Sequence, residues 1–314
     1  MIGQVAAMKY CFGVDIGGTS VKLGLFDADG ILLEKWEIET RTDDRGQSIL
    51  PDIADTIQKH MDARSVSCEE VTAIGVGVPA AVCANGISGN AVNLGWQQKD
   101  VKQELETLTR IPVYAQNDAN LAALGEMWKG AGVGCNDLVM VTLGTGVGGG
   151  IVMSGQLITG VKGGAGEIGE LFAENEVQSD GSVLARNLEY YASATGIVRL
   201  AKRRLLTDPR ETALNFQNVT AKAVFDAAKQ GDSVAEEIVD IFAHYLGKSL
   251  TDLAVILEPE AFIIGGGVSK AGSILLSYLD KHSHIPNSRL LLASLGNDAG
   301  IYGAAKFALS QGSL

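Results

Sequence analysis

The sequence is short of cysteine, of cationic side chains and of long apolar runs, and each shortage excludes a class of protein. Its four cysteines are scattered without a CxxC pair, so we expect buried thiols rather than disulfides or metal ligands. Lysine and arginine number 25 against 37 acidic residues, and the net charge of −12 argues against a nucleic-acid-binding surface. No apolar run approaches the roughly 20 residues of a membrane span. The first ten residues lack the basic and apolar segments of a secretory leader, so we expect a cytoplasmic protein that binds no membrane.

Glycine, by contrast, is abundant. Hydrophobic residues make up 46% of the 314 and charged residues 20%, which excludes intrinsic disorder and predicts one or two globular domains. The 39 glycines exceed the usual share of roughly 7%, and they follow no collagen-like period. We therefore expect them to mark turns and places where backbone approaches a ligand.

Strand and helix patterns alternate along the chain and predict an α/β fold. The predicted strands cover residues 10–16, 21–26, 31–38, 71–78, 111–115, 137–143, 151–153 and 261–264. The predicted helices cover residues 47–64, 101–110, 118–128, 193–206, 220–230, 233–257 and 301–309. A shift of 126 positions places Gly18-Thr19 on Gly144-Thr145, which indicates a weak internal duplication of a strand–glycine turn–strand unit. We expect the domain boundary near Asn117.

The first glycine motif, residues 15–19 (DIGGT), directly follows a predicted strand. Glycines there leave backbone N–H groups open to a phosphate, and the Thr19 hydroxyl adds a donor. Asp15 is placed to approach, through water, the magnesium that accompanies a nucleotide. We also predict that Lys22, in the next strand, binds the nucleotide. The alternative is a hairpin turn that needs glycine only for its backbone angles.

Two further glycine segments occur in the second half. Residues 143–150 (LGTGVGGG) contain a literal GxGxxG, but a strand follows where a dinucleotide-binding fingerprint must open a helix. No GxxxxGK[ST] occurs either, so the segment is interpreted as a second phosphate-facing hairpin. Residues 265–268 (GGGV) lie between a predicted strand and a predicted helix, which suits phosphate or the edge of adenosine. A tight strand-to-helix turn is the alternative.

Candidate polar residues fall in two places. Asp118, after a predicted strand, is a candidate base for a substrate hydroxyl attacking a phosphoryl group, while capping of the next helix is the alternative role for Asn117 or Asp118. Residues 163–170 (GGAGEIGE) and the later Glu189 suit sugar hydroxyls, and a solvated acidic loop is the alternative. The four histidines lie outside every motif, so no metal site with histidine ligands is predicted.

The order and spacing of these segments resemble the repressor/open-reading-frame/kinase (ROK) family of sugar kinases, in the actin-like ATPase superfamily, and especially its bacterial glucokinases. The segments are DIGGT (15–19), NDAN (117–120), LGTGVG (143–148), GAGEIG (164–169) and GGG (265–267), with YASATG (191–196) and NLGW (93–96) in support. The resemblance extends over about residues 10–309. It implies two actin-like (ribonuclease H-like) domains flanking an ATP and sugar cleft. The smaller domain is expected over residues 1–117 with a C-terminal helix over 301–314, and the larger over 118–300.

The resemblance implies a sugar kinase that phosphorylates a hexose with ATP and Mg²⁺, glucose to glucose 6-phosphate being the first expectation. Asp118 matches the catalytic base. The residues expected to bind sugar are Asn93, Asn117, Asp118, Glu167, Glu170 and Glu189. Those expected to bind the nucleotide are Asp15, Gly17, Gly18, Thr19, Lys22, Gly144, Thr145, Gly146, Gly265, Gly266 and Gly267. A homodimer is a further expectation from the family.

Two departures from the family pattern bear on the sugar. Glu170 stands where the family has a sugar-contacting histidine, and residues 171–187 contain no cysteine or histidine, so the family's structural zinc is not expected. Ala80 also replaces a glycine of the sugar pocket. Another hexose or an N-acetylhexosamine (mannose, fructose or N-acetylmannosamine) is therefore kept as an alternative substrate. A non-catalytic sugar-binding regulator is the alternative from another class, although the early position of Asp15 leaves no room for a helix-turn-helix before it.

Overall fold

The computed structural model describes residues 10–178 and 180–311. Their contacts divide into two compact units, the first formed by residues 10–133, 157–165 and 297–311 and the second by residues 134–156 and 166–296. Residues 1–9 and 312–314 of the predicted smaller domain lie outside the described residues. The domain boundary near Asn117 stays a prediction, and the contacts group residues 118–133 with the first unit.

Fourteen strands and ten helices are distributed along the described chain. The strands are β1 (Tyr10–Ile16), β2 (Ser20–Asp27), β3 (Leu32–Glu39), β4 (Val71–Val78), β5 (Ile87–Ser88), β6 (Lys99–Asp100), β7 (Val113–Asn117), β8 (Leu138–Leu143), β9 (Val147–Met153), β10 (Gln156–Leu157), β11 (Phe172–Val177), β12 (Val183–Asn187), β13 (Ala261–Gly265) and β14 (Arg289–Leu292). The helices are α1 (Asp43–Gly46), α2 (Ile49–Arg64), α3 (Val101–Thr109), α4 (Asp118–Lys129), α5 (Leu188–Ala192), α6 (Ala194–Thr207), α7 (Ala221–Lys229), α8 (Ser233–Leu257), α9 (Ser273–His282) and α10 (Ala299–Gln311).

The first unit is built on a five-stranded sheet in the order β3-β2-β1-β4-β7. Strands β1 to β3 are antiparallel neighbours, whereas β1, β4 and β7 run parallel. Apolar side chains of β1 such as Phe12, Val14 and Ile16 are fully buried in a core to which α2 and α3 contribute Ile53 and Leu105. The carboxyl ends of the three parallel strands therefore lie at one edge of the sheet, where ligands bind in folds of this kind.

Helix α10 packs directly on the backbone of this sheet because glycine stands at the contact points. A Cβ on Gly13 or Gly75 would overlap the backbone of α10, and in the second case the overlap is with the carbonyl of Ala304. On the side of α4, a Cβ on Gly303 would overlap the carbonyl of Leu121. The glycines of β1, β4 and α10 are thus explained by helix–sheet and helix–helix contact rather than by a ligand.

The second unit repeats this arrangement. Its sheet has the order β10-β9-β8-β13-β14, with β8 and β9 antiparallel and β8, β13 and β14 parallel. The core is completed by helices, above all α8, whose buried Ile238, Phe242 and Leu246 recur at helical spacing. Counting β1 with β8 and β2 with β9, the two sheets have the same strand order, the structural counterpart of the duplication predicted from the shift of 126 positions. The predicted α/β, actin-like fold class is confirmed.

Several elements differ from those predicted. Strand β9 begins at Val147 rather than at residue 151, so Gly148 and Gly150 pair with β8 and are part of the ladder. Strand β7 begins two residues later than predicted and runs through Asn117. Helix α5, strand β14 and the β11–β12 hairpin had not been predicted, and the helix predicted after residues 265–268 is α9, which begins at Ser273. Within the part of the chain that the structure describes, no helix is both long and apolar enough to cross a bilayer.

Candidate active site

The predicted first phosphate loop, residues 17–19, joins β1 to β2. The N–H of Gly17 donates to the Ser20 carbonyl at 3.0 Å, and the N–H of Thr40 donates to the Thr19 carbonyl at 3.0 Å. The Thr40 hydroxyl also donates to the Gly17 carbonyl at 2.7 Å. Gly18 and Thr19 are exposed. The loop is therefore shaped by bonds at its two ends and presents its middle to solvent.

Asp15 lies at the end of β1, opposite Lys22 of β2 and beside Gly77 of β4. Burial raises the pKa of the Asp15 carboxyl above its usual value, and the charge of Lys22 opposes this shift. The carboxylate occupies the space beside Gly300 of α10, where a Cβ would lie 2.6 Å from Oδ2. Across residues 10–178 and 180–311, no group of three His, Cys, Asp or Glu side chains is arranged to hold a metal. One carboxylate with a nucleotide's phosphates is, however, a common ligand set for Mg²⁺, and Asp15 fits that chemistry.

Asn93 is adjacent to this loop. It lies in the 3₁₀ turn Val92–Leu94, and its Cβ is 3.5 Å from the position that a Cβ on Gly18 would take. The turn is anchored by buried Leu94 and by Trp96, whose indole N–H donates to the Gly46 carbonyl at 3.1 Å. The structure thus brings a predicted sugar-binding residue next to a predicted phosphate-binding one, with the Asn93 side chain exposed.

Asn117 and Asp118 stand where β7 passes into α4. The Asn117 side-chain oxygen accepts from the Asn120 N–H at 3.0 Å, so Asn117 is the N-cap of the helix. Its amide Nδ2 donates to Asp118 Oδ1 at 3.1 Å, and the Ala119 N–H donates to the same oxygen at 2.8 Å. Asn117 therefore both caps helix α4 and orients the carboxylate of Asp118.

The same edge of the sheet gathers these residues. Val78, the last residue of β4, is paired with Asn117 of β7, and the chain after β4 contributes Ala80, whose carbonyl accepts from Asn117 Nδ2 at 3.4 Å. Loop 17–19 follows β1 at this edge. The first unit therefore brings together the predicted base, Asn117, Asn93 and the first phosphate loop.

The predicted second phosphate loop, residues 144–146, joins β8 to β9. The N–H of Gly144 donates to the Gly146 carbonyl at 2.9 Å. From the first turn of α6, the Ala194 N–H donates to the Gly144 carbonyl at 2.8 Å and the Thr195 hydroxyl to the Thr145 carbonyl at 2.9 Å. This loop is consequently fixed by the beginning of α6.

Glu189, a predicted sugar-binding residue, lies against this second loop. Its Oε2 accepts from the Val147 N–H at 3.0 Å, and a Cβ on Gly146 would overlap its carboxylate. Residue 146 is therefore glycine because Glu189 occupies the space of a side chain. The helix that carries Glu189, α5, is capped by Asn187, whose Oδ1 accepts from the Tyr190 N–H at 3.1 Å.

The third glycine segment also contacts the second loop. Gly266 has a φ of +82° and lies so close to Leu143 that a Cβ would overlap its backbone. Gly267 has open space beside it and begins the 3₁₀ turn Gly267–Ala271, with α9 starting only at Ser273. The predicted helix start directly after Gly265, Gly266 and Gly267 is thus corrected to a 3₁₀ turn, because two glycines with positive φ, Gly266 and Gly272, interrupt the helical path.

Glu167 directly precedes the 3₁₀ turn Ile168–Glu170, Glu170 is the last residue of that turn, and both are exposed. The turn lies directly on β9, because a Cβ on Gly169 would overlap the carbonyl of Val147. Glu170 Oε2 accepts from Asn187 Nδ2 at 3.1 Å. The second unit therefore gathers Glu167, Glu170 and Glu189 near the start of β9.

Asn187 was not among the predicted site residues, although it caps the helix of Glu189 and holds Glu170. An Asn three residues before Tyr190, at the start of an apolar and aromatic run, is a typical N-cap signal that could have revealed it. The preceding segment, whose sequence contains no cysteine or histidine, includes the antiparallel β11–β12 hairpin. Glu174 and Glu176 interrupt the apolar residues of β11, and the apolar residues at the start of β12 are exposed, so neither strand has a buried apolar stripe that could have predicted it.

Similar strand order in two sheets, with a glycine loop after the first strand of each, defines an actin-like fold. The chain matches the model of the ROK family over residues 11–311 and belongs to that family. It is 42% identical to a glucokinase of Halalkalibacterium halodurans over 94% of this chain and 93% of the relative. It is 35% identical to a glucokinase of Thermotoga maritima over 93% of this chain and 95% of that protein. A crystal structure of a Streptomyces griseus ROK family glucokinase, in complex with glucose and AMPPNP, covers 96% of this chain and 99% of its own, at 32% identity and a TM-score of 0.73.

Proposed function

We propose that this protein is a glucokinase that transfers the terminal phosphoryl group of ATP to glucose. Membership of the ROK family and the identity to relatives named glucokinase support this assignment. The observation that carries it within the structure is Asp118, which is fixed at the carboxyl edge of the sheet by Asn117 and the Ala119 N–H. A carboxylate held in this way has the chemistry of a general base for a sugar hydroxyl.

Asp118 accepts the proton of the C6 hydroxyl as the hydroxyl oxygen bonds to the γ-phosphorus of ATP. The bond from that phosphorus to the bridging oxygen breaks at the same step, and the products are glucose 6-phosphate and ADP. Because the transferred group carries little covalent bonding in the transition state, positioning and charge stabilisation supply most of the catalysis. The two hydrogen bonds to Asp118 Oδ1 hold the carboxylate for this role.

The glycine loops bind the phosphates in this proposal. Residues 17–19 and 144–146 present backbone next to small side chains, an arrangement suited to phosphate oxygens. Gly265–Gly267 lie beside the second loop and serve the adenosine end of ATP, with Lys22 and Asp15 near the first loop. Mg²⁺, when bound with ATP, neutralises charge on the phosphate oxygens, and Asp15 is the side chain that would hold it through water.

The sugar is bound through its hydroxyls by Asn93, Asn117, Glu167 and Glu189. Each hydroxyl both donates and accepts, so carboxylates and amides are matched partners. The carboxylate of Glu170, held by Asn187, has only acceptor oxygens, which favours a sugar hydroxyl that donates at this position. A homodimer in the cytoplasm, as expected from the family, completes the proposal.

Substitution of Asp118 by Asn tests the assignment. We expect kcat to fall by roughly 10²–10⁴, the scale of losing a general base, while the circular dichroism spectrum is unchanged. The assay measures ADP release with glucose, mannose, fructose and N-acetylmannosamine, which also identifies the sugar. Asp62→Asn, an exposed change on α2, is the matched control and leaves kcat unchanged. Near-normal activity of Asp118→Asn would refute the role of base, and no ADP release with any sugar would refute the kinase.

A further inference from the structure

We propose that Glu174 and Glu176 of the β11–β12 hairpin are positioning residues for the sugar, acting through helix α5. The inference rests on the proposed function, because α5 carries Glu189 and is capped by Asn187. Neither glutamate was predicted to be functional, and neither contacts Glu189 itself. Their action passes through a network of arginine and tyrosine side chains, termed here the hairpin network: Glu174, Glu176, Arg186, Tyr190, Tyr191, Arg199, Arg203 and Tyr245.

Glu176 joins the hairpin to α6. Its Oε2 accepts from Arg186 Nε at 2.7 Å, and its Oε1 accepts from Arg203 at 2.9 Å. Both arginines hold the pKa of the Glu176 carboxyl below its usual range, Arg186 most strongly. Glu176 is 19% exposed and Arg186 24%, so this pair is less screened than an ordinary surface ion pair, while Arg203 is 60% exposed and contributes less.

Arg186 carries the connection to α5. Its guanidinium lies 4.0 Å from the ring centre of Tyr190, and the guanidinium of Arg199 lies 4.1 Å from the same ring. Arg199 also donates to the Tyr190 carbonyl at 2.6 Å. Tyr190, the residue after Glu189, therefore has both its ring and its backbone fixed by cations, and Glu176 fixes one of those cations.

Glu174 fixes the next residue of the same helix. Its carboxylate accepts from the Tyr191 hydroxyl, and the Tyr191 ring stacks on Tyr245 of α8 with ring centres 3.8 Å apart. Burial and the hydrogen bond to Glu174 raise the pKa of Tyr191, and the same causes raise that of Tyr245 to about 12. Both phenols therefore remain protonated donors at the pH of any ordinary assay.

Helix α5 depends on such contacts because it has only five residues. A helix this short has little stability of its own. Its orientation sets the position of Glu189 Oε2 at the Val147 N–H and of Asn187 Nδ2 at Glu170. Loss of the hairpin network should therefore displace two predicted sugar-binding carboxylates together, without touching the glycine loop after β1.

The test compares Glu176→Gln with Glu237→Gln. Glu237 also pairs with two arginines of the second unit, Arg204 and Arg210, but it does not contact α5. We expect Glu176→Gln to raise KM for glucose about tenfold, the scale of one lost charge-assisted hydrogen bond. KM for ATP should rise by a smaller factor, because Glu189 also holds the Val147 N–H beside the second phosphate loop while the first turn of α6 keeps that loop in place. Amide exchange of Val147, measured by NMR, should accelerate, because Glu189 no longer holds its N–H. Arg186→Lys should have an intermediate effect, since it keeps the charge and loses the planar contact with Tyr190.

The inference is overturned if Glu176→Gln leaves KM for glucose and Val147 exchange unchanged in an active enzyme. It is also overturned if KM for ATP rises equally, or if Glu237→Gln has the same effect, because either result indicates general destabilisation. Val147 exchange is read without substrate. If the wild-type protein released no ADP with glucose, the proposed function would fail. Faster exchange of the Val147 amide in Glu176→Gln would still support the positioning of α5, whereas unchanged exchange would overturn it.

Discussion

Gly300→Ala is expected to damage nucleotide use while leaving the fold intact. Gly300 lies in the first turn of α10 and has no positive φ, so backbone conformation does not require glycine there. The space for its Cβ is filled by Asp15, with Cγ and Oδ2 at 2.6 Å. Alanine therefore forces the carboxylate of Asp15 to move away from α10.

The magnitude follows from these distances. An ordinary carbon contact begins at about 3.4 Å, so the carboxylate must shift by roughly 0.8 Å. A misplacement of about 1 Å at a reacting site costs up to roughly 10²-fold in rate. We therefore expect kcat/KM for ATP to fall about 10- to 100-fold and the Mg²⁺ concentration for half-activation to rise. Alanine is a better helix former than glycine by about 1 kcal/mol, which offsets the local strain, so the melting temperature should change by less than about 3 °C.

The assay is coupled ADP release, titrated separately with ATP, Mg²⁺ and glucose. Asp15→Asn is the partner for a double-mutant cycle, because alanine at 300 acts through Asp15 alone. In the Asp15→Asn background, Gly300→Ala should add little further loss. Normal Mg²⁺ activation in Gly300→Ala, or full additivity of the two changes, would refute the reasoning.

Two further predictions concern stability. Burial raises the pKa of Asp15, so the charged form of its carboxyl is disfavoured in the folded state. The free energy of unfolding of the wild type should therefore fall relative to that of Asp15→Asn as the pH rises through the raised pKa. Thermal melts should show Asp15→Asn more stable at pH 7.5, with the difference vanishing below the unfolded pKa near about 3.9; an unchanged difference at low pH would contradict this. A zinc-selective chelator should leave the melting temperature unchanged, because residues 171–187 contain no thiol or imidazole and the hairpin is held by side chains such as Glu176 and Arg186. A large drop would contradict a metal-free hairpin.

Much of the fold could be predicted because local signals agreed with the tertiary structure. Strands β1 and β4 and helix α8 have the bounds predicted, since each combines a clear apolar pattern with turn or capping residues at its ends. The N-cap of α4 was predicted at Asn117 or Asp118 for the same reason, and it is Asn117. Asp118 was singled out as a candidate base through its position after a strand, and its role stays a prediction; the structure places it at the edge of the sheet where ligands bind in such folds.

Glycine positions were harder to interpret. Segments 144–150 and 163–169 were both expected to face phosphate or sugar. For the residues in their loops this stays a prediction, whereas other glycines of the two segments are explained by packing. Gly149 lies against the carbonyl of Gly166 and the side chain of Ile168, and Gly163, with φ +76°, lies against the backbone of Val82. A sequence shows where glycine is needed, but the atom that occupies the empty space is a property of the tertiary structure.

The hairpin network escaped prediction for a related reason. Glu174, Glu176 and Arg186 lie in a stretch with the composition of a solvated loop. Their partners Arg203 and Tyr245 are remote in sequence, so their pairing carries no local signal. Only the assembled second unit brings them together.

Helix α10 has a consequence for how the chain is made. The glycine-lined face of the first sheet is covered by residues 299–311, which are synthesised after the entire second unit. A ribosome adding roughly 5–20 residues per second leaves that face uncovered for at least several seconds. During this interval the first unit exposes backbone-rich, apolar surface around Gly75, a surface suited to chaperones. Folding of the first half therefore finishes only after the second half has emerged, and the order of folding differs from the order of synthesis.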